Sequence, residues 1–499
     1  MEKSRSVKLN IISMFIYQGV GILSGFIMPR LILATFGSEV NGLTSSLSQF
    51  LSYITLFEGG VSTVFTSCLY APLQADDKQK ISAIIRSSNL FFNKLGLMFL
   101  VYTSAVAVVY PIAVNTNFST EYISTLTFIL ALATYAQYMF CISYRILLVA
   151  DNKGFIVYFL QAVCYLGSLI LSIVSIKIYP SIHLVKLVGS FFFLIQPIIF
   201  SRIAKKKYGL NLHINPDEEV SSQKWSGFGQ NFATFIYQNT DIVVLTMFST
   251  LTNVSIYSIY YMILNAVRSF VKSTVTALVP SIGNTYVSSD IEVSNKVYDN
   301  LEYIVFISTA FVFSCCAALM MPFVSVYTNG IKDADYSQPI FGFLLMTAFA
   351  VECIREPYLQ LTFIAGKFRE TSTYAYVEAA INVGISIIVV SKYGLVGVAI
   401  GTLFAVVFRS IALAFYNQKN ILCRPALKWF SNIVLLAGII LLIGVAFSRI
   451  NVISVTNYAT WFKYALIVAV SAAIVIVGVS LVFFKEQMKA ILKLIRSRR

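Results

Sequence analysis

The chain has 499 residues, 58% of them hydrophobic and 12% charged, with a mean hydropathy of +0.78. Soluble domains carry roughly 25% charged residues, so this composition excludes a soluble globular protein and describes a polytopic membrane protein. The 37 Lys and Arg against 22 Asp and Glu, a net charge of +15, suit basic loops on one side of a bilayer rather than a nucleic-acid surface.

A spanning helix and its polar break consume roughly 35 residues, which leaves room for about fourteen spans and no soluble domain. The first, near 9–34, follows Lys3, Arg5 and Lys8 but is too long for a secretory signal and lacks a small-residue cleavage site. Further spans lie near 43–69, 88–113, 121–146, 154–178 and 182–203. A polar linker at 205–225 opens with Lys205, Lys206 and Lys207 and reaches Lys224. The second set runs near 226–249, 254–284, 301–327, 338–365, 371–391 and 395–417, with two more spans near 428–448 and 461–484. The expected fold is all-α: a six-helix lobe (1–204), the linker (205–225), a second six-helix lobe (226–420), and two extra helices with a basic tail (421–499).

With the N-terminus inside, about 26 Lys and Arg fall in cytoplasmic segments and about four in external loops, which predicts both termini in the cytoplasm. Lys485 to Arg496 alternates basic and apolar faces at helical spacing and reads as an interfacial helix on anionic lipid, not a nucleic-acid contact. Lys94, Lys186 and Lys463 lie near span ends and can snorkel to headgroups.

Phe15-Ile16-Tyr17-Gln18 in span 1 recurs as Phe235-Ile236-Tyr237-Gln238 in span 7, an offset of 220 residues. At an offset of 214, Val40 aligns with Val254 and Glu58 with Lys272. The four-residue match stands at the head of two six-span sets that both start inside, so the sequence predicts a parallel repeat about an axis along the membrane normal.

Polar stripes of helical period inside apolar helices mark surfaces that meet water, ligand or another helix. Span 1 carries Asn10, Ser13, Tyr17 and Ser24 with Gln18 beside them, and span 2 carries Ser45, Ser48, Ser52, Thr55 and Glu58. Span 7 carries Asn231, Thr234, Gln238 and Asp241, and span 8 carries Asn265, Arg268, Lys272 and Thr276. Intramembrane Asp, Arg and Lys are costly unless paired or wetted, so a hydrophilic cavity is expected, with Arg268, Lys272 and Arg30 as its cations. The alignment makes Glu58 the expected partner of Lys272 and leaves Arg268 uncompensated. Asp241 is expected to bind a coupling proton or sodium ion or to pair with a cation. Glu352, Arg355 and Glu356 share one span and are expected to neutralise one another partly, and Glu378 and Arg409 are candidate partners. Gly19, Gly21 and Gly25 lack dinucleotide-loop spacing and read as helix packing.

Catalysis is poorly supplied. Only His183 and His213 occur, both near polar segments, the seven Cys lie in or beside apolar runs, and no external loop exceeds about fifteen residues. A membrane polysaccharide polymerase or acyltransferase is therefore the weaker reading, and no cofactor or metal is expected.

Two stretches carry a resemblance: Phe36-Gly37-Ser38-Glu39-Val40-Asn41-Gly42-Leu43 after span 1, and Tyr393-Gly394-Leu395-Val396-Gly397-Val398-Ala399-Ile400-Gly401-Thr402 between spans 11 and 12. In these the chain resembles the polysaccharide repeat-unit flippases, the O-antigen and capsule branch of the multidrug/oligosaccharidyl-lipid/polysaccharide exporter superfamily. The resemblance implies two six-helix lobes around a cavity lined by spans 1, 2, 7 and 8. It also implies translocation of an undecaprenyl-diphosphate-linked oligosaccharide to the outer leaflet of the plasma membrane, beside a polymerase or glycosyltransferases. Arg and Lys suit the diphosphate. A lipid II flippase and a drug or cation antiporter of the same fold are the alternatives; a cation exporter would want a more acidic cavity.

Overall fold

The computed structural model describes residues 2–58, 60–217, 228–288, 290–425, 427–449 and 455–497. Linker residues 218–225, Lys224 among them, lie outside the described residues, as do Arg498, Arg499 and the side chain of Asn231. The described residues are all-α. In chain order the helices are α1 (Glu2–Ser52), α2 (Thr55–Glu58), α3 (Val61–Gln74), α4 (Lys78–Ala113), α5 (Thr120–Phe140), α6 (Ile142–Ala150), α7 (Gly154–Ile178) and α8 (Ile182–Tyr208). They continue with α9 (Phe228–Phe248), α10 (Leu251–Ser288), α11 (Ile291–Tyr327), α12 (Pro339–Ile364), α13 (Phe368–Asn420), α14 (Leu427–Arg449), α15 (Tyr458–Phe483) and α16 (Lys485–Ser497).

Ten described helical stretches are long and apolar enough to cross a membrane. Two of them hold two expected spans each, because a glycine breaks the run: Gly37 (φ 82, ψ 180) within α1 and Gly394 (φ 52, ψ −123) within α13. A side chain at either dihedral would clash with its own backbone, which is why both resemblance motifs carry glycine there. The expected spans 7 and 10 are the helices α9 and α12; three charges within eighteen residues, Glu352, Arg355 and Glu356, keep α12 off that count. Two expected spans are interrupted. Span 2 breaks into the end of α1, α2 and α3, where Gly60 takes the left-handed φ of 84, and span 4 breaks at Cys141 between α5 and α6.

The chain divides into two compact units: residues 1–235 with 250–255, and residues 236–249 with 256–499. In the first, Phe65, Phe92, Phe99, Tyr138, Leu147 and Phe200 form the centre of a core shared by α3, α4, α5, α6 and α8. Gly42 lets α1 meet the start of α10 closely: a Cβ there would lie 1.8 Å from the Leu251 carbonyl oxygen. One residue away Asn41 donates to Ser255 Oγ at 2.8 Å, two positions separated by the repeat offset. In the second unit α14 and α15 pack on α11, with Ala318, Tyr464 and Val468 buried together. Asn457 caps α15 by accepting from the Thr460 amide at 2.9 Å.

Packing does not account for Gly19, Gly21 and Gly25. A Cβ at any of them would meet nothing within 4 Å, and Gly21 and Gly25 line a cavity of about 440 Å³ in the first unit. A stripe of small residues has the same spacing whether it admits a neighbouring helix or leaves space beside it.

Candidate functional site

The second unit concentrates its buried charge where α10 faces α12. Spacings of three and four put Asn265, Arg268 and Lys272 on one face of α10, and a spacing of four puts Glu352 and Glu356 on one face of α12. Glu352, 1% exposed, serves both cations: Arg268 donates to Oε2 at 3.0 Å and Lys272 to Oε1 at 2.8 Å. Arg268 also donates to Asn265 Oδ1 at 2.5 Å and Tyr261 Oη at 3.4 Å, and its guanidinium lies 4.7 Å from the Phe349 ring centroid. Lys272 stands 3.8 Å from Glu356, and its side chain is 30% exposed against 10% for Arg268. The network is thus sealed at Glu352 and opens at Lys272.

Two expectations are corrected here. Arg268 is not uncompensated, and the carboxylate that Lys272 meets is Glu352 rather than Glu58. The alignment of halves finds only partners at equivalent positions, whereas these pair α10 with α12 inside one unit. Glu58, in the other unit, accepts from Ser62 Oγ at 2.6 Å and Tyr138 Oη at 3.2 Å. Among the described residues Glu352, Arg355 and Glu356 form no ion pair with one another, although Arg355 is close enough to Glu352 for the two charges to attract. Arg355 pairs instead with Glu378 of α13, and Glu352 with Arg268 and Lys272 of α10.

Arg409 also pairs with Glu378, at 2.6 Å, as the sequence suggested. One fully buried carboxylate therefore serves two guanidiniums, each of which keeps a buried Nε with no hydrogen-bond partner. Arg355 rests 6.0 Å from the Tyr237 ring centroid.

A third cluster surrounds Asp241 of α9, 4% exposed. Its Oδ2 accepts from Tyr257 Oη at 2.8 Å and Thr402 Oγ1 at 2.7 Å, and Asn382 Nδ2 donates to Thr402 Oγ1 at 3.1 Å. Asp241 Oδ1, Asn382 Oδ1 and Ser386 Oγ are buried without hydrogen-bond partners. Gly401 makes the space, since a Cβ there would lie 2.3 Å from Ser386 Oγ. A buried carboxylate among surplus oxygen acceptors is chemistry for a proton or a monovalent cation. No described group of three His, Cys, Asp or Glu could hold a metal ion.

At one end of α13, outside the spans, Arg424 donates to Glu302 at 2.7 Å and pairs with Asp299. Burial alone would lower its pKa; the two carboxylates outweigh it and hold the guanidinium above its ordinary value. Tyr358 donates to Glu302, which closes this clamp onto α12.

The remaining expected residues are dispersed. In the first unit Arg30 is half-buried on α1, Tyr17 lies 6.1 Å from Tyr158 and 5.8 Å from Tyr165 by ring centroids, and Gln18 is exposed. Gln238 is half-buried on α9. The stripes did not reveal Glu352 as the shared anion or Asn382 and Thr402 as neighbours of Asp241, with Ser386 one turn from Asn382. The available signals were the four-residue spacing of Asn382 and Ser386 and the threonine closing the second motif.

No protein-family model matches the sequence, and no curated protein matches it. Solved structures do. The lipid II flippase MurJ in an inward closed conformation matches with a TM-score of 0.72 at 14% identity, over 96% of this chain and 99% of that one. An inward-facing multidrug resistance MATE family transporter of the MOP superfamily matches with a TM-score of 0.62 at 14% identity, over 81% of this chain and 97% of that one. A MATE transporter from Vibrio cholerae matches with a TM-score of 0.56 at 14% identity, over 85% of this chain and 99% of that one. The chain is a multi-pass membrane protein with the fold these structures share.

Proposed function

We propose that the chain is a flippase, without enzymatic chemistry, for an oligosaccharide repeat unit carried on undecaprenyl diphosphate. It moves the unit from the inner to the outer leaflet of the plasma membrane by alternating access, with both termini cytoplasmic. The observation that carries this reading is the Arg268–Glu352–Lys272 network. One carboxylate shared by two cations leaves Lys272 with donors to spare at the exposed end, where a diphosphate can take two of them. Coverage supports it. The flippase match leaves too few residues of this chain unaligned to omit α14 and α15, whereas the transporter matches leave between a seventh and a fifth. Asp241 with Asn382, Ser386 and Thr402 is the coupling-ion site in this reading, and a polymerase or glycosyltransferases are the partners that supply and consume the substrate.

Proteoliposomes containing a fluorescent polyprenyl-diphosphate oligosaccharide test the substrate. Its label should become accessible to an impermeant quencher faster with the protein than without it, and Lys272→Ala should slow this at least tenfold. Export of a lipophilic cation with no movement of the lipid-linked sugar would favour the drug antiporter instead. Movement of lipid II and not of shorter lipid-linked oligosaccharides would identify a lipid II flippase.

A further inference from the structure

The end of the first unit that carries Lys205 holds a charged feature unconnected with the ion network of the second. A cavity of about 700 Å³ opens there between α4, α5 and α8. Local structure accounts for it. Helix α5 stops at Phe140 because Cys141 leaves helical geometry (φ −121, ψ −48), and Pro197 inside α8 cannot donate a hydrogen bond to the turn before it. Arg86 of α4 and Arg202 and Lys205 of α8 line the space, and none of the three joins an ion pair among the described residues. Asn89 and Asn93, on the same face of α4 as Arg86, add two carboxamides. Apolar residues line it as well, and two of them are open: Phe140 at the end of α5 is 56% exposed, and Ile198, one turn before Arg202 on α8, is 52% exposed.

Three cations that join no ion pair among the described residues, two amides and exposed apolar side chains match the three parts of one molecule: a phosphate, its polar alcohol and its acyl chains. We propose that this cavity binds an anionic phospholipid of the phosphatidylglycerol class, taken from the leaflet at the Lys205 end. On the orientation the basic loops predict, that is the inner leaflet, whose negative surface potential draws basic segments toward it. Arg86, Arg202 and Lys205 hold the phosphodiester, Asn89 and Asn93 take headgroup hydroxyls, and an acyl chain lies along Phe140 and Ile198. The site is independent of the transport reading, because it lies wholly in the first unit and uses no residue of the ion network.

Native mass spectrometry of the intact protein, titrated with phosphatidylglycerol and with phosphatidylcholine in detergent, tests the site. Phosphatidylglycerol should be retained preferentially. Arg202→Gln should weaken retention about fivefold, and Arg86, Arg202 and Lys205 all changed to Gln should remove the preference. Lys206→Gln, at the same end but outside the cavity, should leave it intact. Equal retention of both lipids, or a preference that survives the triple change, overturns the proposal. So does displacement of the lipid by millimolar inorganic phosphate, which makes this a site for the free anion. Displacement by an equimolar polyprenyl diphosphate overturns it too, by making this a substrate site. If the triple variant does not fold, Arg202→Gln carries the test alone, since Arg202 is exposed and its loss leaves the packing in place.

Discussion

Arg268 of α10 and Glu352 of α12 form a 3.0 Å ion pair in which the carboxylate is 1% exposed and its second oxygen is held by Lys272. The three residues are therefore not equivalent. Removing either cation leaves Glu352 one partner, whereas removing the carboxylate strands Arg268 in a buried place.

Glu352→Gln is accordingly expected to destabilise the protein by about 3–5 kcal/mol, the usual penalty for breaking a buried pair from one side. Lys272→Ala, at a side chain 30% exposed, is expected to change stability by less than about 1 kcal/mol while impairing transport. Thermal unfolding of the two variants in detergent measures the difference. Equal midpoints would show that Glu352 does not anchor the network.

The Arg355–Glu378–Arg409 cluster obeys the same rule with an excess of positive charge. Glu378→Gln leaves two buried guanidiniums uncompensated and should abolish accumulation in the membrane. Arg409→Met leaves a one-to-one pair of Arg355 with Glu378 and should be tolerated far better. Membrane-fraction yield separates the two, and a Met variant as poorly folded as the Gln variant would contradict the arrangement.

The apolar runs, the polar breaks and the excess of basic loops gave the all-α membrane architecture, because bilayer thickness and backbone hydrogen bonding leave a chain of this composition few alternatives. Arg268, Lys272 and Asp241 were legible as costly residues in apolar helices. Their partners were not. Glu352 lies 84 residues from Arg268, and Thr402 lies 161 from Asp241. Helical period shows which face a residue occupies and not which helix that face meets. The break at Cys141 was missed for a related reason: hydropathy continues smoothly across it, and only backbone geometry marks it. The break at Gly60 did carry a signal, Glu58 followed by two glycines, inside a run otherwise apolar enough to read as one span.

Both glycine motifs can be tested against one control. Gly42→Ala would set a methyl 1.8 Å from the Leu251 carbonyl oxygen, and Gly397→Ala would set one 2.7 Å from the Val389 backbone. Neither backbone can yield as a side chain does, so each should cost several kcal/mol and reduce folded yield. Gly438 lies within α14 with nothing inside 4 Å of an added Cβ. Gly438→Ala should be neutral or stabilising by up to about 1 kcal/mol, as helix propensity alone dictates. Reduced yield for all three would point to a general effect of glycine loss rather than to close approach.

Asp241 gives the sharpest test of coupling. Its Oδ2 is satisfied by Tyr257 and Thr402, whereas Oδ1 and the nearby Asn382 Oδ1 and Ser386 Oγ have no hydrogen-bond partners. A purely structural carboxylate would be expected to use both oxygens, because each unsatisfied buried acceptor costs roughly 1–3 kcal/mol. A bound proton or sodium ion would meet that need. Asp241→Asn keeps the size and the Oδ2 acceptor while removing the charge that attracts the ion. In proteoliposomes it should therefore leave the protein folded, slow transport, and abolish the dependence of rate on a sodium or proton gradient. Ser386→Ala, which removes one neutral oxygen and no charge, should weaken that dependence without eliminating it. A graded response across the two variants, read as the ion concentration giving half-maximal rate, separates ion binding from a packing defect, which would lower the rate at every ion concentration alike. If Asp241→Asn retains wild-type gradient dependence, the ion is bound elsewhere and Asp241 serves only to hold α9 against α10 and α13.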